Sequence, residues 1–547
     1  MGSRCPADLA STAGLGKIKR IGKKPLDTRG ASTFIEGNQQ VDIMKTEIFS
    51  QLLPRREFIK TTAAVAATAA TPAFLSSTAA EEPFSPKMIG IQAGAVSFVD
   101  EGVEEVLDIF QEKGAVNTVF LTTFTYGRGL AGRQIEGHAY PDHGKQEPDT
   151  AFYHGGNYAT PHAEYYQQTA LKQTRAPDHG NLDIVAAVLP AARRRGLKLF
   201  CSIEDVWRPD VPGLAALSEV DLQGRRTAAT LCPLHPEVRA FWTGLATDLC
   251  KSYDIDGLLF FNEHNGPLLE ALGASHSQRI ASSRATCFCE FHQKAARERG
   301  LSFDRARAGF IQLDQFVQNS LAGKRPSDGY FVEFWRLMAE YPEIMAWDRL
   351  FDEGKHQVLA DVSAAVKSAR AGLRMGFHIE HVNSSNPIFR ATRSYADLAA
   401  RADFLKIVVY NNCGGERYAG FIKNVCSTVF RDVPQEELLR FNNHLLNYGN
   451  EAGMSGLAQA GLSADYVFRE TKRALAGVEG RCKILPGIDI DIPTGQSSRK
   501  ARPEDTYAAA AASLKAGADG LLYSRKYSEM RLANLAAAGK AVGDFKY

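Results

Sequence analysis

The sequence predicts an α/β chain folded as a single (β/α)8 barrel, and three observations carry that prediction. From Lys87 onward, short runs rich in Val, Ile, Leu and Phe alternate with amphipathic stretches long enough for helices, the pattern of a parallel sheet covered by helices. The runs number eight, and no internal repeat or low-complexity tract competes with them. An open doubly wound sheet would call for a glycine-rich phosphate turn after its first strand, which Ile91-Gln-Ala-Gly94-Ala-Val-Ser97 does not supply.

In chain order, the first run is Met88–Gly94, followed by a helical pattern over Gly102–Lys113. The second, Asn117–Phe124, precedes a connection from Thr125 to Gly180 that is too long for an ordinary loop. In a barrel that insertion lies on the face where chemistry occurs. The helix Leu182–Arg195, the run Leu197–Glu204 and the helix Pro236–Tyr253 come next. Gly257–Glu263 is the fourth run, and a second long insertion follows it, with helical patterns over Arg279–Arg299 and Phe331–Ala371. Leu373–Glu380 leads to Tyr395–Arg401, and Phe404–Asn411 leads to Gln435–Tyr448 and Tyr466–Gly477. Cys482–Ile490, the helix Pro503–Ala516, the run Ala518–Arg525 and a last helix over Met530–Gly543 complete eight units.

At 547 residues the chain has length for three or four domains of ~150 residues, yet α/β barrels often exceed ~250 residues as one unit. Hydrophobic residues make up 44% and charged residues 23%, with no uninterrupted apolar stretch of eighteen. This excludes a disordered chain, a collagen and a polytopic membrane protein. Residues 1–80 do not read as a folded domain. Pro54-Arg55-Arg56-Glu-Phe58-Ile-Lys60 precedes an Ala/Thr run, Thr61 to Leu75, and small residues at Thr78-Ala79-Ala80. This resembles a twin-arginine export signal, whose apolar part is too short and Ala-rich to remain as a membrane anchor. Three regions are therefore expected: a disordered upstream extension over 1–43, a signal over 44–80 that Arg55 and Arg56 present to export machinery, and the barrel over 81–547. Its destination would be the periplasm or the medium.

The formal charge of +2 owes its sign to that leader. Residues 1–80 hold 11 Lys and Arg against 6 Asp and Glu, so the remainder carries −3. Such a balance offers nothing to a nucleic acid or an anionic membrane and suits a neutral small-molecule or glycan substrate. Cys201, Cys250, Cys287, Cys289, Cys413, Cys426 and Cys482 sit in or beside apolar runs and read as small buried hydrophobes. Cys287-Phe-Cys289 is one residue tighter than the usual metal-binding pair, so no metal is expected there.

Barrel chemistry projects from the C-terminal ends of strands. The third run ends Glu204-Asp205-Val-Trp207, the fourth Asn262-Glu263-His264-Asn265, and the fifth His378-Ile-Glu380-His381. The sixth ends Tyr410-Asn411-Asn412, the seventh Asp489-Ile-Asp491, and the eighth Tyr523-Ser-Arg525. Glu263 and Glu380 come from adjacent strands, so both can face one cavity. Glycosidic cleavage uses such a pair, one carboxyl protonating the leaving oxygen and the other attacking or stabilising the anomeric carbon. The expected catalytic residues are Glu263, with Glu380 or Asp489 as partner, and no cofactor. Asp205, Trp207, Asn262, His264, His378, Tyr410, Asn411 and Arg525 would line a sugar pocket. Tyr126 and Arg128 would reach over it from the second loop, which also carries His138, Tyr140, Phe152, Tyr153 and His154.

Ile255-Asp-Gly-Leu-Leu-Phe-Phe-Asn262-Glu263, followed by Cys287-Phe-Cys289-Glu-Phe-His292 before a helix, resembles the fourth unit of TIM-barrel glycoside hydrolases and the hypothetical glycosyl hydrolase families. Asn262-Glu263 is similar to the Asn-Glu pair of clan A glycosidases, which implies Glu263 as acid/base. That clan places its nucleophilic Glu on the seventh strand, where this chain has Asp489 and Asp491. An α-amylase-like arrangement, with nucleophile on strand four and acid on strand five, matches Glu263 and Glu380 instead. Two other functions use the same positions. His138, His143, His154, His162, His179, His264, His378 and His381, with Glu204, Asp205, Glu263, Glu380 and Asp489, would serve a divalent metal in a sugar isomerase or epimerase of the xylose-isomerase type. A non-catalytic carbohydrate-binding barrel would use the carboxylates only to hold hydroxyls.

Overall fold

Eight parallel strands close on themselves: β1 (Met88–Ala93), β2 (Thr118–Thr125), β3 (Lys198–Glu204), β4 (Gly257–Phe261), β5 (Arg374–Ile379), β6 (Phe404–Val408), β7 (Lys483–Asp489) and β8 (Gly520–Ser524). Each pairs with the next, and β1 pairs with both β2 and β8, so the sheet is a barrel without an edge. The architecture comes from a computed structural model, which describes residues 87–545 except 134–140, 148–154, 172–174, 275–279 and 496–497. The upstream extension, the twin-arginine segment with Arg55 and Arg56, and the loop residues His138, Tyr140, Phe152, Tyr153 and His154 lie outside the described residues. No helix among the described residues is long and apolar enough to cross a membrane.

The predicted strands are all present, but most stop one to three residues early. The polar ends at Glu263, Glu380, Asn411 and Arg525 therefore stand just beyond the hydrogen-bonded sheet. The helices differ more. Phe331–Ala371 divides into Tyr330–Glu340 and Glu343–Ala369 around Pro342, which has no N–H to continue the ladder. Among the described residues of Arg279–Arg299, the α-helix covers only Glu290–Glu298, besides a short 3-10 turn at Ser282–Arg284. The preceding segment is drawn to a hairpin instead: Phe288 N donates to Val220 O at 2.8 Å, and Asp221 bridges Thr286. That hairpin, Ser218–Val220 with Arg226–Leu231, sits in the β3–β4 connection and was not expected. Neither were the helices Phe303–Leu321 and Gly414–Val425. The latter begins Gly414-Gly415, a poor start by propensity. Packing requires it, because a Cβ on Gly415 would lie 2.1 Å from the Leu457 carbonyl oxygen.

Alternate residues of each strand point into the barrel. Met88, Phe120, Phe200, Leu259, Phe261, Phe404, Leu485 and Leu522 form one buried interior cluster. The rings of Phe120, Phe200 and Phe404 meet with centroids 5.1–5.9 Å apart. Small neighbours leave them room: a Cβ on Gly90 would come within 2.4 Å of the Phe120 ring, and one on Gly376 within 2.1 Å of Phe404. This packed floor closes the barrel below, and the inward positions above it are polar.

Candidate active site

Two residues along from the interior cluster, the same inward alternation delivers Lys406 on β6, with Gln92 on β1, Ser524 on β8 and His378 on β5 beside it; Glu204 ends β3 on that face. Lys406 is buried. Its Nζ donates to Gln92 Oε1 at 2.6 Å and to Tyr410 OH at 3.1 Å, and lies 5.0 Å above the Phe261 ring. Ser524 Oγ donates to the same Gln92 oxygen at 3.0 Å. Gly487 makes space for the lysine stem, since a Cβ there would fall 2.9 Å from Lys406 Cε. Burial draws the Lys406 ammonium down to about 7, although Glu263 and Glu204 both favour its charged form.

Glu204 and Glu263 face this lysine from β3 and from the loop after β4. Thr125 Oγ1 donates to Glu204 Oε2, and Gly127 N donates to the same hydroxyl at 2.8 Å. Burial pushes the Glu204 carboxyl up to about 7; Thr125 opposes the shift, the charge of Glu263 adds to it, and Arg525 and Lys406 oppose it. Glu263 is different: its side chain is 56% exposed, open to the mouth, and its Oε1 lies 2.5 Å from His378 Nε2. Burial, reinforced by Lys406, lowers His378 to about 4. The imidazole is therefore neutral at ordinary pH and supplies Glu263 with an N–H. The mouth thus holds one carboxyl biased toward the acid and one open to solvent, a division of the kind acid/base hydrolysis uses.

Glu380 lies deeper. Lys355 Nζ, from the helix Glu343–Ala369, is 3.3 Å from its Oε1 and also donates to the His264 carbonyl. Burial raises the Glu380 carboxyl, with Lys355 and Arg393 opposing and Glu263 adding to the shift. Asp489 is fully buried, its Oδ2 accepting from Cys413 N at 2.8 Å and its Oδ1 from Ile492 N at 3.0 Å. It ties the end of β7 to the start of helix Gly414–Val425. Asp491 pairs with Arg531.

The other expected pocket residues divide between the mouth and its wall. Asp205, Asn262, His264 and Trp207 form one network: Trp207 Nε1 donates to Asp205 Oδ1 at 2.7 Å, Asn262 Nδ2 to Oδ2 at 3.0 Å, and His264 Nε2 lies 3.4 Å from Oδ2. Burial works against the His264 cation, but Asp205 and Glu219 outweigh it and hold the imidazole at about 9. Trp207 and Tyr126 are buried with Phe124, Phe241 and Trp242, so other rings occupy their faces. Tyr410 stands beside Lys406 with the Arg417 guanidinium 5.6 Å from its ring, and burial raises its hydroxyl well above the usual range. Arg525 is held by Glu529 and lies under the short helix Arg128–Ala131, where a Cβ on Gly129 would be 2.9 Å from its Nη1. The Arg128 side chain is outside the described residues. The Asn411 carbonyl accepts from Leu462 N at 2.7 Å, while its buried side-chain oxygen finds no partner among the described residues.

Sequence reasoning passed over Lys406, and it left Glu204 outside the catalytic pair. A lysine inside the apolar run Phe404-Leu-Lys-Ile-Val was the available signal. Among the described residues, the histidines and carboxylates of the mouth do not bring three donor atoms to one point. The group that does so lies elsewhere: Cys232, Cys287, Cys289 and His292, none of which was expected as a donor.

No protein-family model and no curated protein matches the sequence. Solved structures similar to this one include the PgaB (BpsB) glycoside hydrolase domain from Bordetella bronchiseptica, at 12% identity and TM-score 0.44, over 80% of this chain and 94% of that one. The catalytic domain of a beta-amylase from Paenibacillus polymyxa is 13% identical, TM-score 0.43, over 84% and 99%. A beta-galactosidase from the haloarchaeon Halorubrum lacusprofundi is 11% identical, TM-score 0.48; the match covers 84% of this chain but 58% of that enzyme. At these identities each is a likeness of backbone architecture.

Proposed function

We propose that this chain is an exported glycoside hydrolase-like enzyme in which Glu204 and Glu263 act as the carboxyl pair. The supporting observation is their unequal environments at one barrel mouth: Glu204 is enclosed and biased to the protonated form, whereas Glu263 is open and held by a neutral His378. Glu204 then protonates the departing glycosidic oxygen, and Glu263 attacks the anomeric carbon or activates the water that does. Lys406 and Arg417 moderate the repulsion between the two carboxylates once Glu204 has given up its proton. Glu380, locked to Lys355, positions the loop that carries Glu263 and His264. A neutral carbohydrate is the substrate class.

The test compares Glu204→Gln and Glu263→Gln on aryl glycosides with good and poor leaving groups. Loss of the acid should slow poor leaving groups by about 10²–10⁴-fold and good ones far less. Loss of the other carboxylate should slow both. Near-normal cleavage of poor leaving groups by Glu204→Gln would remove it from the acid role, and binding without release of reducing ends would make the barrel a binding module.

A further inference from the structure

We infer that Cys232, Cys287, Cys289 and His292 hold a structural zinc ion that clamps the β3–β4 hairpin to the loop after β4. The residues come from two distant segments. Cys232 follows the hairpin strand Arg226–Leu231, Cys287 and Cys289 lie in the extended stretch before helix Glu290–Glu298, and His292 is in that helix's first turn. All four are buried, at 3% exposure or less. Cys232 Sγ lies 3.4 Å from Cys289 Sγ and 3.5 Å from His292 Nδ1, and Cys289 Sγ lies 3.4 Å from the same nitrogen. The four donor atoms all fall within 4.8 Å of one another.

A tetrahedral ion with Zn–S near ~2.3 Å and Zn–N near ~2.0–2.1 Å has edges of roughly 3.5–3.8 Å, so Cys232, Cys289 and His292 need to move by only a few tenths of an ångström, and Cys287 lies within 4.8 Å of each of them. Three sulfurs and one imidazole, all buried, match the four-protein-ligand set of a structural site and soft-ligand selectivity for zinc. A disulfide fits worse: 3.4 Å is far beyond the ~2.05 Å of an S–S bond, and it would leave a thiol and an imidazole behind. The surroundings are those of a metal centre. Phe351, Val220, Leu234 and Phe291 exclude water, His292 stacks on Phe351, and Val220 N donates to Cys287 Sγ at 3.3 Å, a contact that steadies a thiolate.

The clamp would bear on the mouth through one residue. The hairpin it fixes carries Glu219, which accepts from Thr286 Oγ1 at 2.7 Å and lies 3.5 Å from His264 Nδ1, the neighbour of Glu263. The inference rests on these donors alone and stands whether or not the barrel cleaves glycosides.

The experiment is elemental analysis of the full chain purified without chelator, with released zinc titrated by a chromophoric chelator after denaturation. About one zinc per chain is expected, falling about tenfold or more in Cys232→Ser/Cys289→Ser. Should that variant fail to fold, cobalt replacement in the unaltered protein decides instead: the visible absorption of tetrahedral thiolate-bound cobalt is expected. Less than about a tenth of an equivalent of metal after zinc reconstitution, zinc retained by the double variant, a cobalt spectrum without thiolate bands, or a Cys232–Cys289 disulfide found by mass spectrometry would each overturn the inference.

Discussion

Asp489 separates a structural carboxylate from a catalytic one by experiment. Both of its oxygens already accept backbone N–H groups, from Cys413 at 2.8 Å and Ile492 at 3.0 Å, and no part of the residue reaches solvent. Asp489→Ala strands two buried donors at about 1–3 kcal/mol each, so the expected loss is about 2–6 kcal/mol of stability. Asp489→Asn keeps one acceptor but turns an amide N–H₂ toward the second donor, for about half that loss. The assay is the urea midpoint of each variant beside kcat per folded molecule at a temperature where all are folded. The midpoints should fall in the order wild type, Asn, Ala, and turnover of the folded fraction should stay within about tenfold. An unchanged midpoint with turnover reduced by about 10³-fold or more would refute the tethering argument and return Asp489 to the catalytic pair.

Three further outcomes follow from the same geometry. Because Glu204 must be protonated to donate, kcat/KM should decline as pH rises through about 7, and Lys406→Met, which removes a cation favouring the carboxylate, should move that limb upward; a limb that stays in place would detach Glu204 from it. His378 is held at about 4 against an ordinary value of 6.5, so the folded state disfavours its cation: the stability this contributes is complete above about pH 6.5 and is lost as pH falls toward 4. Chemical-denaturation midpoints of the wild type should therefore drop over that window relative to His378→Phe, and parallel curves would contradict the burial argument. Gly376→Ala drives a methyl into the Phe404 ring, which is pinned by Phe120 and Phe200, and should destabilise the barrel by about 1–3 kcal/mol in thermal unfolding. An unaltered melt would mean that the barrel floor is looser than its contacts imply.

The barrel was legible because its signal is local. A buried parallel strand is apolar along most of both faces, and each of the eight runs carries that property within its own residues. Elements whose reasons lie elsewhere in the chain were not legible. The stretch Arg279–Arg299 has helical spacing, yet Thr286 and Phe288 pair with a hairpin about 65 residues earlier and the helix starts only at Glu290. Gly414-Gly415 argues against a helix until the Leu457 carbonyl that occupies the space above it is known.

The site follows the same rule with a different outcome. Glu263 and Glu380 were visible as polar residues closing apolar runs, but whether a carboxylate is free depends on what meets it. Glu380 meets Lys355 from a helix 25 residues back, and Asp489 meets two amides from separate loops. The strand ends therefore over-supply candidates, and only partners distant in sequence sort them. Lys406 shows the converse. One lysine in an apolar strand reads as an edge or a flaw until the closed sheet turns it inward, where Gln92, 314 residues away, accepts its hydrogen bond. The tightest case is the sulfur cluster, in which Cys287-Phe-Cys289 was set aside for its spacing. A pair on an extended segment sends both thiols to one side, and two more donors, Cys232 from 57 residues before Cys289 and His292 three after it, complete the set. Ligand spacing tests a site built within one turn of chain; a site that joins two segments is constrained by the fold that brings them together.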